Sequence, residues 1–217
     1  MNYFSIILPS LLRGTVISIS LFALTLILSL PLGIPIALGE NSRIPLIRWI
    51  CKAYVYIFRG TPLMLQLFFF YFFFPIYLNI RWEAFPTAVF TFVLNYAAYF
   101  AEIYRGGIKS IEVGQYEAAK SLGLSKVQTF KDIVLPQMTR IVLPPVSNEV
   151  ITLVKDTALA SVIALADLMK VAQGIVNRDG TLYAYLIAAG IYLIFTFIAT
   201  LILNNMEKRY SRYEEVM

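Results

Sequence analysis

Histidine is absent from this sequence, and Cys51 is its one cysteine. That excludes a disulfide framework and the zinc sites assembled from His and Cys at fixed spacings. The pattern G-x-x-x-x-G-K-[ST] occurs nowhere, so the chain lacks the loop with which P-loop proteins cradle ATP phosphates. No nucleophile–base pair or metal-ligand constellation stands out, which argues against an enzyme. Charge is sparse: 14% of residues are charged against 59% hydrophobic, and mean hydropathy over the 217 residues is +0.73. An ordinary water-soluble domain does not have these proportions. The period-two alternation of a membrane β-barrel is missing as well. Lipid offers the backbone no hydrogen bonds, so only helices remain.

Several apolar segments exceed the roughly 20 residues needed to cross a bilayer. They read as five spans, at about 11–38, 54–78, 84–108, 141–165 and 182–203, in one transmembrane domain over 1–217. The cluster Pro31, Gly33 and Pro35 is expected to kink or fray the end of the first span. Pro144 and Pro145 stand near the start of the fourth, and the aromatic block 68–74 reads as lipid-facing or packing surface. A cleaved signal peptide is not expected, because 1–12 lacks a basic stretch and the apolar run is too long, without a small-residue cleavage site.

Basic residues set the orientation. Arg43, Arg48, Lys52, Arg59, Arg105, Lys109, Lys120, Lys126, Lys131, Arg140, Lys208, Arg209 and Arg212 fall on one side of the five spans. Arg13, Arg81, Lys170 and Arg178 fall on the other. The positive-inside rule then predicts an outside N-terminus and a cytoplasmic C-terminus. The net charge of +5 thereby has a topological explanation, and no nucleic-acid partner is implied.

Between the third and fourth spans lies a polar interlude, 115–136. Glu117, Ala118 and Ala119 open an amphipathic run, Gly123 interrupts it before Leu124, and Ser125 is placed to cap a second run through Ile133 to Pro136. This predicts two short helices with a sharp turn between them, the second closing at the proline. The plainer alternative is an amphipathic loop lying on the membrane surface. The order EAA, three residues, Gly, nine residues, I-x-L-P resembles, without a departure, the EAA motif of ABC-transporter permeases. In that family the loop docks into a groove on the ATP-hydrolysing subunit and passes its movement to the membrane helices.

Three further strings, FRGTPL from Phe58, AAYFAEIYRGGI from Ala97 and LVKDTALASVI from Leu153, resemble permeases for polar amino acids. The resemblance implies an all-α chain of type I ABC importer permease architecture in a bacterial inner membrane. It implies a separate P-loop ATPase subunit carrying ATP and Mg, with no cofactor in this chain. It also implies a second permease copy or homologue forming a dimer, an extracytoplasmic solute-binding protein, contact with membrane lipid, and an amino-acid substrate.

Polar residues inside apolar spans must face the bundle or a partner. On the third span Asn95, Tyr99 and Glu102 share a helical face. Glu102 is expected to pair with Arg105, while Asn95 and Tyr99 either line a substrate path or pack helices. On the fourth span Glu149, Thr152 and Asp156 share a face, with Asn148 and Lys155 beside it. Glu149 either pairs with Lys155 of another subunit or meets a ligand, and Asp156-Thr157 is alternatively a helix cap. Arg59 reads as a residue snorkelling to the interface, with Pro62 in a first helical turn.

The candidate substrate residues are therefore Glu149, Asn148, Asn95, Tyr99, Thr152 and Asp156. No cation is seen to face them in the sequence pattern, which points to a basic amino acid: arginine, lysine or histidine. The competing reading is an ion-coupled secondary transporter with Glu149 and Asp156 as the ion site. It lacks the internal inverted repeat such transporters show, and it leaves the coupling loop unexplained.

Overall fold

Residues 3–211 are described by a computed structural model, and every regular element among them is helical. The end of the charged tail, with Arg212, lies outside the described residues. Helix α1 runs unbroken over Tyr3–Glu40. At 1.5 Å per residue its 38 residues reach about 57 Å, well beyond a hydrocarbon core of about 30 Å. Pro9, Pro31 and Pro35 all sit inside it, so the expected fraying at the proline cluster does not occur. Packing holds this part of α1 in place. A Cβ on Gly33 would come within 3.0 Å of Phe100 Cβ and 3.1 Å of the Ala101 nitrogen, and this close approach clamps α1 onto α4.

The second span is not one helix. α2 (Pro45–Gly60) and α3 (Leu63–Tyr77) meet at a bend of 108°. Thr61 is extended at φ −119° and ψ 146°, the conformation that a following proline imposes, so Pro62 starts α3 from outside instead of lying in its first turn. α4 (Ala84–Lys109) runs through the middle of the bundle. Its Phe92, Tyr96 and Phe100 are fully enclosed by Leu21 of α1, Leu67 of α3 and Leu153 of α7 (Leu135–Asp156). In lipid such contacts stabilise by van der Waals fit, because the surrounding tails are as apolar as the core.

α5 (Val113–Ser121) and α6 (Lys126–Gln128) form the two-helix loop. The second run does not close at Pro136, however. It passes through a π-helical turn, Thr129–Val134, straight into α7, and Pro136 lies in the first turn of that helix. A proline there gives up the amide that would continue the ladder, and the wider π turn before it keeps the ring clear of the carbonyl that a regular helix would set against it. α7 tolerates Pro144 and Pro145 and continues as a 3₁₀ segment, Thr157–Ile163. Ala164, left-handed at φ 61°, ends that segment.

The stretch between the fourth and fifth expected spans is mostly α8 (Leu168–Asp179), capped by the buried Asp167 through the Met169 and Lys170 amides at 3.2 and 3.0 Å. α9 (Tyr183–Ser211) completes the bundle. Among the described residues three helices, α1, α4 and α9, are long and apolar enough to cross a membrane. The bent pairs α2–α3 and α7–α8 raise the number to five.

Candidate functional site

The site begins at the α2–α3 bend. Ending a helix at Gly60 leaves its last carbonyls without intrahelical donors. Two buried amides supply them. Gln66 Nε2 donates to the Phe58 carbonyl at 2.9 Å and reaches Thr61 Oγ1 at 2.8 Å. Asn95 Nδ2, from α4, donates to the same Phe58 carbonyl and to Gln66 Oε1, both at 3.0 Å. The bend is thus stitched shut, and Asn95 ties the end of α2 to α4.

Beside it opens a cavity of about 500 Å³. Its walls are the bend from Arg59 to Leu63, the α4 residues Asn95, Tyr96 and Tyr99, and Glu149, Thr152, Asp156 and Leu159. Five of the six residues singled out from sequence line it: Asn95, Tyr99, Glu149, Thr152 and Asp156. Asn148 does not. It is exposed on the neighbouring face of α7, where its carbonyl accepts the Thr152 hydroxyl at 3.0 Å. Asn95 is only 3% exposed, with both bonds of its amide nitrogen spent on the bend, so its immediate work is to shape the wall.

The cavity is bipolar. On the α7 side stand Glu149 and Asp156, and among the described residues neither has a cation within 4 Å. Lys155 is exposed and forms no pair with Glu149 within the chain. Asp156 makes no capping bond; its Oδ2 instead accepts the Tyr96 hydroxyl at 2.8 Å. On the opposite rim Arg59 lies with its guanidinium 5.4 Å from the centre of the Tyr99 ring and 3.7 Å from Glu102. This corrects one expectation: a cation does face the polar wall, because the bend brings the last turn of α2 to the cavity. Glu102 does pair with Arg105, through Nε at 2.9 Å and a second contact from Nη2.

Sequence reasoning missed Arg59, Tyr96 and Gln66 here. The signal for Gln66 was present, as a lone amide in the apolar string LMLQLFFFYFFF. Tyr96 gave none, because it lies just off the stripe of Asn95, Tyr99 and Glu102.

The two-helix loop follows its turn grammar closely. Gly123 takes φ +75°, and the amides of Gly123 and Leu124 bond back to the carbonyls of Lys120 and Ala119, both at 3.0 Å. Ser125 Oγ accepts from the Gln128 amide at 3.3 Å, while Gln128 Oε1 accepts from the Ser125 amide at 2.9 Å. Ala119 is buried, and Glu117 and Ala118 are exposed, as are the large apolar side chains of Leu122 and Val127. Leu124 lines a groove of about 650 Å³ with Tyr116, Lys120 and Phe130. Ile133 is half-buried in the π turn and Pro136 is exposed.

Residues 29–212 match the family of binding-protein-dependent transport system inner membrane components. The chain belongs to that family. It is 40% identical over 207 residues to the L-cystine transport system permease protein of Bacillus subtilis (strain 168), covering 94% of this chain and 88% of the relative. It is 38% identical over 206 residues to the arginine transport system permease protein of the same organism, covering 93% of each. A crystal structure described as an amino acid ABC transporter with histidines superposes with a TM-score of 0.88 at 32% identity, covering 96% of this chain and 99% of that one. The fold is that of a type I ABC importer permease, all helical. Within this family the chain is a membrane transport component and not an enzyme.

Proposed function

We propose that this chain is the membrane subunit of an ATP-driven amino-acid importer whose substrate is basic: arginine, lysine or histidine. The observation that carries the substrate class is the charge content of the cavity. Glu149 and Asp156 stand against Arg59, so with all three ionised the walls hold one net negative charge. A basic amino acid brings two cations and one carboxylate and cancels it. A neutral amino acid leaves one charge uncompensated and an acidic one leaves two, which is costly away from water. The α-carboxylate goes to Arg59, and the ammonium and the cationic side chain go to Glu149 and Asp156. Thr152 and Tyr99 supply neutral contacts, and Asn95 and Asn148 act behind and beside the wall.

A relative named for arginine transport supports this reading. A relative named for L-cystine supports a second one, because cystine also presents two ammonium groups, but it adds two carboxylates to a site with one guanidinium.

The loop residues Glu117, Ala118, Ala119, Gly123, Leu124, Ile133 and Pro136 meet a P-loop ATPase subunit on the cytoplasmic side, where ATP and Mg bind. The distribution of basic residues supports a cytoplasmic C-terminus and an outside N-terminus. A second permease copy completes the path, and an external binding protein delivers substrate.

The test is uptake into vesicles carrying the whole complex, comparing arginine, glutamine and cystine with and without ATP and with a protonophore. The proposal expects ATP-dependent, protonophore-insensitive uptake with arginine preferred. Protonophore-sensitive uptake without ATP would establish the ion-coupled alternative, and a preference for cystine would replace the basic substrate.

A further inference from the structure

Arg59 sits in the last turn of α2, directly before the bend, and α4 holds it. The Tyr99 ring lies 5.4 Å from its guanidinium carbon, and Glu102 Oε2, one helical turn further along, lies 3.7 Å from Nη1. Glu102 is itself fixed by two contacts from Arg105. Arg105 in turn lies 3.9 Å from Oε2 of Glu40, which is buried at the end of α1. Arg59, Glu102, Arg105 and Glu40 thus form a chain of alternating charge that sums to zero and joins three helices. Only its Arg59 end reaches the cavity.

The distances matter. Glu102 is hydrogen-bonded to Arg105, whereas 3.7 Å to Arg59 is too long for a hydrogen bond. Glu102 therefore attracts Arg59 without occupying its donors, which stay available to a ligand. A more intimate pair would have consumed them. Without the Glu102 charge, Arg59 and Arg105 would face each other as like charges, and Arg59 would keep only the Tyr99 ring.

We infer that Glu102 is a positioning residue that holds the Arg59 guanidinium at the cavity rim to receive the substrate's α-carboxylate, so that the site selects amino acids over their decarboxylated amines. This rests on the reading above in which Arg59 takes the carboxylate. The chain of charges sets head-group selectivity, separately from the side-chain selectivity of Glu149 and Asp156.

The test measures binding of arginine and of agmatine, which is arginine without its carboxylate, to the purified complex in lipid nanodiscs. Wild type binds arginine the more tightly. Glu102→Gln keeps the shape and should lower the arginine-to-agmatine ratio on the order of tenfold, the scale of a charge-assisted hydrogen bond, by weakening arginine alone. Arg59→Gln should lower the ratio at least as much, and the double variant no further. Glu102→Asp should restore part of it.

Equal weakening of both ligands by Glu102→Gln would make Glu102 a structural tie and overturn the inference. So would an unchanged ratio in Glu102→Gln alongside a lowered one in Arg59→Gln. An unchanged ratio in Arg59→Gln would remove the carboxylate role of Arg59, and this inference with it. If wild type prefers cystine, the same ratio is read against cystamine; the basic-substrate reading then fails while the role of Glu102 is still tested.

Discussion

The hydroxyl of Tyr96, in the middle of α4, donates to Oδ2 of Asp156 on α7 at 2.8 Å. It joins two residues that lie 60 positions apart and fixes one carboxylate of the cavity wall against the adjoining wall of α4. Tyr96→Phe keeps the ring in its enclosed position and deletes only that bond. Hydrogen bonds to charged groups contribute about 1.5–3 kcal/mol. The variant should therefore lose stability in a thermal melt of the nanodisc-held complex and bind its substrate more weakly. Unchanged melting together with unchanged binding would show that Asp156 needs no such partner.

The bend between α2 and α3 depends on Gln66. Gln66→Leu retains the apolar volume, leaves Asn95 as the remaining amide donor to the Phe58 carbonyl, and takes from the buried Asn95 amide its second acceptor, Gln66 Oε1. A buried polar group left unpaired costs about 1–3 kcal/mol. Thermal unfolding should shift down by that order, and Arg59, carried by the bend, should lose its place. A melting curve identical to wild type would show that Pro62 alone makes the bend.

Gly123 carries the turn of the loop at φ +75°. A left-handed residue with a Cβ costs about 1–2 kcal/mol, and a β-branched one is worse placed still. Gly123→Val should let the complex assemble while substrate no longer stimulates ATP hydrolysis. Stimulation at the wild-type level would remove the turn from the coupling path.

How much of this was legible in the sequence differs by element, and the differences have physical causes. The loop was legible because its structure is local. Gly123 and Ser125 each answer to backbone groups a few residues away, and the fixed spacing of EAA, Gly and I-x-L-P encodes that geometry directly. Its far end was misread, because Pro136 is as acceptable in the first turn of a helix as it is after the last. The face of Glu149, Thr152 and Asp156 followed from helical periodicity. Asn148, next to Glu149 in sequence, is turned about 100° around the helix and falls outside.

Arg59 was misplaced because hydropathy averages across the break at Thr61 and Pro62, and a 108° change of direction leaves no trace in an apolar run. α8 was hidden for a similar reason. Its start is set by Asp167, a buried cap whose partners are the amides of Met169 and Lys170, two and three residues on, and whose setting is tertiary.

Orientation is tested by labelling from either side of the membrane, after the native Cys51 is changed to serine. A cysteine introduced at Ser125 should react with an impermeant reagent from the cytoplasmic side, and one at Asn79 should not. The reverse pattern would invert the topology and separate the loop from any cytoplasmic ATPase.

The central claim is that Glu149 reads positive charge on the substrate, and Glu149→Gln tests it most directly, since it keeps the shape of the wall and removes its charge. Uptake of arginine and of glutamine is measured side by side in vesicles carrying the complete complex. The account predicts that arginine uptake falls on the order of tenfold or more relative to glutamine, the scale of a lost charge-assisted contact. An arginine-to-glutamine ratio equal to that of the wild type would contradict it, and any preference would then belong to the external binding protein.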